Sequence, residues 1–142
     1  IPIDLSELRQ TTGHRGQSLE AMWDNDYETR WSSDAPQAGN EWIEWAFDKP
    51  TNIGHVRFSL AKSVNDYPRN LLIEGSFDGE TYRTLYEDRG LPKFLLGLVE
   101  DPEHIPIDIA LPQNQSLKLR LSQRGVSSTW YWSIHEMGLW AR

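Results

Sequence analysis

The sequence contains no cysteine. That excludes a disulfide framework and a thiolate zinc site, while leaving an exported location open. Lysine and arginine form no run, and the formal net charge is -7. Nucleic acids and anionic membranes are held through basic patches, so nucleic acid is not expected as a partner and a membrane surface is disfavoured. No apolar stretch approaches the ~20 residues that a bilayer-spanning helix needs. There is neither an initiator methionine nor a signal-peptide pattern. The chain opens at Ile1 within a strand-like stretch. The expectation is therefore a single domain over residues 1–142, cut from a larger protein or left as a matured product. No P-loop, dinucleotide fingerprint or nucleophile elbow occurs. His135-Glu136 begins a His-Glu-x-x-His string, but Leu139 stands where the second histidine belongs. A glycosidase carboxylate pair can be far apart in a chain and escapes such a scan. A domain this small is nevertheless read as a non-enzyme.

Helical periodicity is also lacking. No segment keeps a 3.6-residue period for three turns, and only Leu5–Leu8 and Leu19–Trp23 suggest short helical turns. The pattern that is present has period two. Leu117, Leu119 and Leu121 alternate with Lys118 and Arg120, and Val56, Phe58 and Leu60 alternate with His55, Arg57 and Ser59. Ile105, Ile107, Ile109 and Leu111 form a third such run. These are half-buried strands. Further strands are expected over Glu41–Asp48, Asn70–Phe77, Thr81–Glu87 and Trp130–Trp140, with Asp78-Gly79 as a tight hairpin turn. Short strands separated by turn signals predict an all-β antiparallel sandwich. The stretch Glu87–His104 is expected to be a long irregular loop folded back onto the core. Its Phe94, Leu95 and Leu96 would otherwise be an exposed contact site or a lipid wedge.

The block "WDNDYETRWSS", residues 23–33, combines two aspartates, a threonine and two tryptophans. Asp24, Asp26 and Thr29 offer hard oxygens of the kind calcium takes. Spacing alone suits an Asx-rich turn with no metal at least as well. Thr29 stands where an EF-hand loop needs glycine, so the block is not an EF-hand. In the last strand Glu136 shares parity with Trp132 and Ile134, although Met137 and Leu139 are apolar on the other parity. A bulge there would shift the phase.

Four segments occur in a suggestive order: "AMWDNDYETRWSS", "GNEWIEWAFDKPTNIGHVRF", "DYPRNLLIEGSFDGETY" and "WSIHEMGLW". Together, from about Gln17 to Trp140, they resemble the discoidin or coagulation-factor C-type domain. That family shares its fold with galactose-binding-like carbohydrate-binding modules. The resemblance implies an eight-stranded, jelly-roll-like β-sandwich. It implies a structural calcium ion held by Asp24, Asp26, Thr29 and Glu136 with the carbonyls of Ala21 and His135. Asn25 replaces the family's usual glycine, and asparagine tolerates the left-handed conformation that position requires. The resemblance makes Trp31 a packing residue and puts ligands on loops at one end of the sandwich. The loops "TTGHRGQS", "SVNDYPRN" and "SQRGVSSTWYW" then supply the candidate sugar contacts His14, Arg15, Asn65, Asp66, Arg69, Arg124, Trp130 and Tyr131. An aromatic ring at a loop edge can stack on the C–H face of a sugar while polar neighbours bond its hydroxyls. Trp31, Trp42, Trp45 and Trp140 are expected in core and rim packing, and Trp23 has no assigned role. A looser similarity reaches discoidin-like domains attached to bacterial enzymes of cell-surface sugar metabolism. The reading is a non-catalytic carbohydrate-binding module on the extracellular or periplasmic face of a larger bacterial protein. The alternative is an adhesion module, or one that orients neighbouring domains of its parent chain.

Overall fold

A computed structural model describes residues 1–13 and 18–142. Among the described residues the strands are β1 (Arg9–Thr12), β2 (Trp31–Ser32), β3 (Glu41–Thr51), β4 (Ile53–Ser59) and β5 (Asn70–Ser76). They continue as β6 (Arg83–Arg89), β7 (Pro106–Ala110), β8 (Ser116–Gln123), β9 (Ser133–Ile134) and β10 (Glu136–Ala141). A five-stranded sheet of order β1-β3-β8-β5-β6 faces a three-stranded sheet of order β10-β4-β7, and β2 pairs with β9. All the strand pairs are antiparallel. The expected all-β sandwich is therefore the fold. The two-residue pairs β2 and β9 account for the difference from eight strands.

Period two sets the layers. Val56 and Phe58 of β4, Ile107 and Ile109 of β7, and Leu119 and Leu121 of β8 all turn into the core. Trp31 and Trp132 meet edge-on there, with ring centroids 5.1 Å apart, and Trp45 is buried beside them. Pro106 opens the edge strand β7, a place where a missing N–H is tolerated. The two short helical turns expected from the sequence are 3₁₀ turns, Leu5–Glu7 and Leu19–Met22.

Two expectations need correction. The stretch Glu87–His104 is not an irregular loop, because Leu91–Glu100 forms a helix, α1. Gly90 precedes it and a proline lies in its first turn, where a proline is well tolerated. Its inner face turns Phe94 onto the Tyr67 ring, stacked at 4.6 Å. Gly97 lies against β7 so closely that a Cβ there would stand 2.0 Å from the Pro106 carbonyl oxygen. Its outer face is apolar too, with Leu95, Leu96 and Val99 exposed by 49%, 64% and 85%. The helix is only ten residues long, opens with a proline and contains Gly97, so it falls short of the three turns over which a helical period shows. Phe94 is buried and so is not part of an exposed wedge. No helix among the described residues is long and apolar enough to cross a membrane.

The expected strand Trp130–Trp140 is also broken. β9 pairs with β2, whereas β10 pairs with β4. The switch falls at His135. Trp132 and Ile134 point inward before it, and Met137 and Leu139 point inward after it. One residue is inserted into the alternation, as in a bulge, and every later side chain changes face. Glu136 and Trp140 consequently lie on the outer side of the three-stranded sheet, half-buried.

Candidate functional site

The early acidic loop folds against the last strand. Asn25 takes a left-handed conformation, φ 59°. This turns the chain so that the Asp26 N–H donates both to Asp24 Oδ1 (3.1 Å) and to Glu136 Oε1 (3.0 Å). The Thr29 hydroxyl donates to Asp24 Oδ2 and reaches the Asp26 carbonyl at 3.1 Å. The Asp26 carboxylate instead accepts from the Glu28 N–H at 2.9 Å and caps that turn. Ala21 lies in the 3₁₀ turn just before the loop. The His135 ring is buried below it, contacting the Tyr27 carbonyl (2.6 Å) and Ser63 Oγ (2.8 Å).

Electrostatics divide the two central carboxyls. The Thr29 hydroxyl holds Asp24 below the usual carboxylate range. Burial, followed by the hydrogen bond and negative charge of Asp24, pushes Glu136 up to about 7. Burial likewise lowers the His135 imidazole. Two carboxyls brought together in this way, with a threonine hydroxyl beside them, suit a hard cation. Among the described residues no group of three or more His, Asp or Glu side chains gathers as a metal cluster. An ion here would therefore draw its remaining ligands from main-chain carbonyls.

A second arrangement lies among the loops. Arg30, Lys62, Ser63, Val64, Asn65, Asp66 and Trp130 line a hollow of about 340 Å³. Trp130 is 42% exposed at its edge. The Trp130 N–H donates to Ser127 Oγ at 3.0 Å, and its carbonyl accepts from the Gln37 N–H at 3.0 Å. Arg30 Nη1 reaches Ser63 Oγ (3.0 Å), Asp66 Oδ2 (3.2 Å) and Ser133 Oγ (3.2 Å). Lys62 pairs with Glu28 at 2.7 Å.

The sequence-derived contacts divide accordingly. Asn65, Asp66 and Trp130 meet at this hollow. Asp66 is buried, and its Oδ2 also accepts from Ser133 Oγ at 2.6 Å, so it braces the wall. The Arg69 guanidinium lies over the Tyr67 ring, 3.8 Å from its centroid, and donates to the carbonyls of Tyr67 (2.7 Å) and Asn65 (2.9 Å). It holds the loop shape from within. Tyr131 is half-buried, with its carbonyl bonded to Gln37, and Arg124 is exposed. His14 and Arg15 fall outside the described residues.

Arg30, Lys62 and Gln37 were not singled out by sequence reasoning. Arg30 precedes the inward Trp31, and strand alternation would have turned it outward. No local pattern marks Gln37. It is 1% exposed, and its side-chain amide donates to the carbonyls of Tyr67 (2.9 Å) and Tyr131 (3.0 Å). Its Oε1 accepts from the Arg69 N–H at 2.9 Å. One amide thus joins three loops.

Two packed layers of antiparallel strands form a β-sandwich of the galactose-binding-like class. Residues 5–137 match the F5/8 type C domain, and the chain belongs to that family. Among curated proteins none matches. Several solved structures share the fold at low identity. CBM32-1 and CBM32-2 of Clostridium perfringens ZmpB are 13% identical with a TM-score of 0.74, over 99% of this chain and 37% of that one. The CBM32 of AlyQ, solved with 4,5-unsaturated mannuronic acid, is 16% identical with a TM-score of 0.72, over 99% of this chain and 98% of that one. CpGH89CBM32-5 of Clostridium perfringens, solved with GalNAc-β-1,3-galactose, is 12% identical with a TM-score of 0.71, over 99% of this chain and all (100%) of that one. This chain thus spans about a third of the ZmpB fragment but nearly the whole of the two single modules.

Two measurements test the site. Gln37→Glu keeps shape but sets a carboxylate against the Tyr67 and Tyr131 carbonyls. Chemical denaturation at neutral pH should show a loss of about 3 kcal/mol or more; unchanged stability would refute the tether. The second concerns Glu136, measured in the presence of a chelator. Its ordinary pKa of 4.5 rises to about 7 in the fold. The folded state then holds the proton more tightly, so this contribution is full below about 4.5 and is lost as pH rises through about 7. Wild type should lose stability relative to Glu136→Gln between about pH 5 and about pH 8. Parallel pH profiles would count against the assignment.

Proposed function

We propose that this domain is a non-catalytic carbohydrate-binding module whose sugar site is the loop-end hollow beside Trp130. The observation that carries this reading is an exposed indole at the rim of a hollow with charged and amide side chains. The indole offers a face for sugar C–H groups, while Arg30, Lys62 and Asn65 offer bonds to hydroxyls. The sugar ligands present in the AlyQ and CpGH89CBM32-5 structures support the ligand class. Binding would be weak and would serve to hold a larger protein at its glycan. Related folds occur beside alginate lyase domains in AlyQ and beside M60 catalytic domains in ZmpB. A place on the cell exterior, as part of a longer chain, follows from the same reading. The exposed outer face of α1 favours the alternative of packing against a neighbouring domain.

A structural calcium ion belongs to this proposal. Asp24, Thr29 and Glu136 would hold it, with main-chain carbonyls such as those of Ala21, Asp26 and His135. It would clamp the acidic loop to the last strand and neutralise the paired carboxyls. His135 would set the loop height through Tyr27. The ion would take no part in chemistry.

Calorimetry with galactose, N-acetylgalactosamine and cell-wall oligosaccharides tests the sugar site. Trp130→Ala should lower affinity by about tenfold or more while leaving the melting temperature unchanged. Absence of binding to every sugar, with the variant equally silent, would reject the module reading. Chelation tests the ion separately. It should lower the melting temperature by about 3–4 °C per kcal/mol of lost clamp energy, and calcium should restore it. An identical melting curve, with no metal by elemental analysis, would reject the ion.

A further inference from the structure

The outer face of the three-stranded sheet carries an arrangement that the loop-end site does not use. Gly138 stands beside Arg57, and Trp140 beside His55, while Asp108 follows Arg57 on β7. A solvated sheet face asks only for polar side chains. Here a tryptophan lies along its own strand. A Cβ at Gly138 would come within 2.4 Å of the Trp140 six-membered ring. Glycine at 138 is thus the space into which the indole is laid. Pro2 bridges to the Trp140 main chain, and the His55 ring meets the indole edge-on at 5.8 Å. The indole is thus set between Gly138 and His55 on a strand whose main chain is paired.

Two hollows flank it. One, of about 340 Å³, is lined by His55, Arg57, Asp108 and Trp140. The other, of about 450 Å³, runs past Gly138 toward Glu136 and Tyr27. They share Arg57 and Trp140, and neither shares a lining residue with the loop-end hollow. Each falls within the range of about 300–1,000 Å³ for small-molecule sites. The polar groups are partly spoken for but not saturated. The Arg57 guanidinium is 3.6 Å from Asp108 and 3.9 Å from Glu100, both longer than a hydrogen bond. Its N–H groups can donate to a ligand. Asp108 also holds His55 Nε2 and presents carboxylate lone pairs.

Charge selects among ligands. Asp108 and Glu100 stand around the one arginine, and Asp108 also holds His55. A uronate or other anion would meet more negative than positive groups, and the arginine already faces two carboxylates. An uncharged ring with one apolar face and several hydroxyls meets none of these objections.

We propose that the outer face of the β10-β4-β7 sheet is a second carbohydrate subsite, taking a neutral pyranose residue with its C–H face on Trp140 and its hydroxyls on Arg57 and Asp108. This subsite goes beyond the loop-end reading and stands without it. It gives the domain two separate contacts for a glycan. Two weak contacts on one chain raise its retention well above either alone when the glycan can reach both.

The test uses the full chain labelled with 5-fluorotryptophan, whose seven tryptophans give separate ¹⁹F lines assigned by Trp→Phe substitution. The probes are lactose, N,N′-diacetylchitobiose, cellobiose, mannobiose and xylobiose, with a diuronate as the charged control. At least one neutral disaccharide should move the Trp140 line saturably, in wild type and in Trp130→Phe alike. Arg57→Gln should weaken that response about tenfold, with the other lines in place as evidence of folding. Gly138→Val, which tips the indole up, should abolish it. If no neutral sugar moves the Trp140 line, the subsite is refuted. It is refuted too if only the diuronate does, or if the response vanishes in Trp130→Phe. The Trp130 line reports the loop-end site independently, so either site can fail while the other stands.

Discussion

The loop end of this sandwich hangs on the side chain of Gln37. Strands define the two layers but say nothing about where three separate loops finish. Those loops carry main-chain carbonyls and N–H groups with no strand partners, and such groups need partners once buried. Gln37 supplies them. Its amide takes the Tyr67 and Tyr131 carbonyls and the Arg69 N–H, and its own main chain bonds Trp130 and Ser127. A buried Glu41 continues the pattern alongside. It accepts from the N–H groups of Ala38 (2.7 Å) and Gly39 (3.2 Å) and from Gln123 Nε2 (3.0 Å). Gln123 then bonds both the N–H and the carbonyl of Gly125. This fully partnered polar network lets an exposed tryptophan sit on a loop and still be held in place.

The last strand imposes a second constraint. Its break at His135 moves the chain from the β2 partner to the β4 partner and reverses which residues face out. Without the break, Glu136 would enter the core with Trp132 and Ile134, and Met137 and Leu139 would face water. With it, Glu136 meets the acidic loop from outside and Trp140 is laid on the sheet surface. His135 fills the place of the break, buried and bonded to Tyr27 and Ser63. One inserted residue therefore serves the candidate cation cradle and the outer sheet face together.

How much of this was legible in the sequence depends on how local each feature is. Alternation over residues 56–60, 105–111 and 117–121 locates β4, β7 and β8, because a strand with one buried face must repeat every two residues. The left-handed role of Asn25 is readable from its place between two aspartates in a family-like motif, and it occurs at φ 59°. The meeting of Glu136 with that loop came only through the family resemblance, since no spacing rule joins residues so far apart in the chain. The helix α1 was hidden because it is shorter than three turns and carries the proline and glycine that usually mark a loop. Gln37 was hidden for another reason. An isolated glutamine in a loop looks like any solvated residue until three loops close around it.

The two indoles bear on specificity in different ways. Trp130 is placed by the loop network, so its height and tilt can vary with loop length while the sandwich stays the same. Trp140 is placed by strand register, against Gly138 and His55, and cannot move without changing the sheet. A loop-mounted ring can be tuned to a particular sugar because loops tolerate change. A strand-mounted ring offers a fixed apolar face and reads shape more than identity. If both bind glycan, the loop end selects the sugar and the sheet face lengthens its stay. That division needs no communication between them, because each is held by its own set of bonds and they share no lining residue.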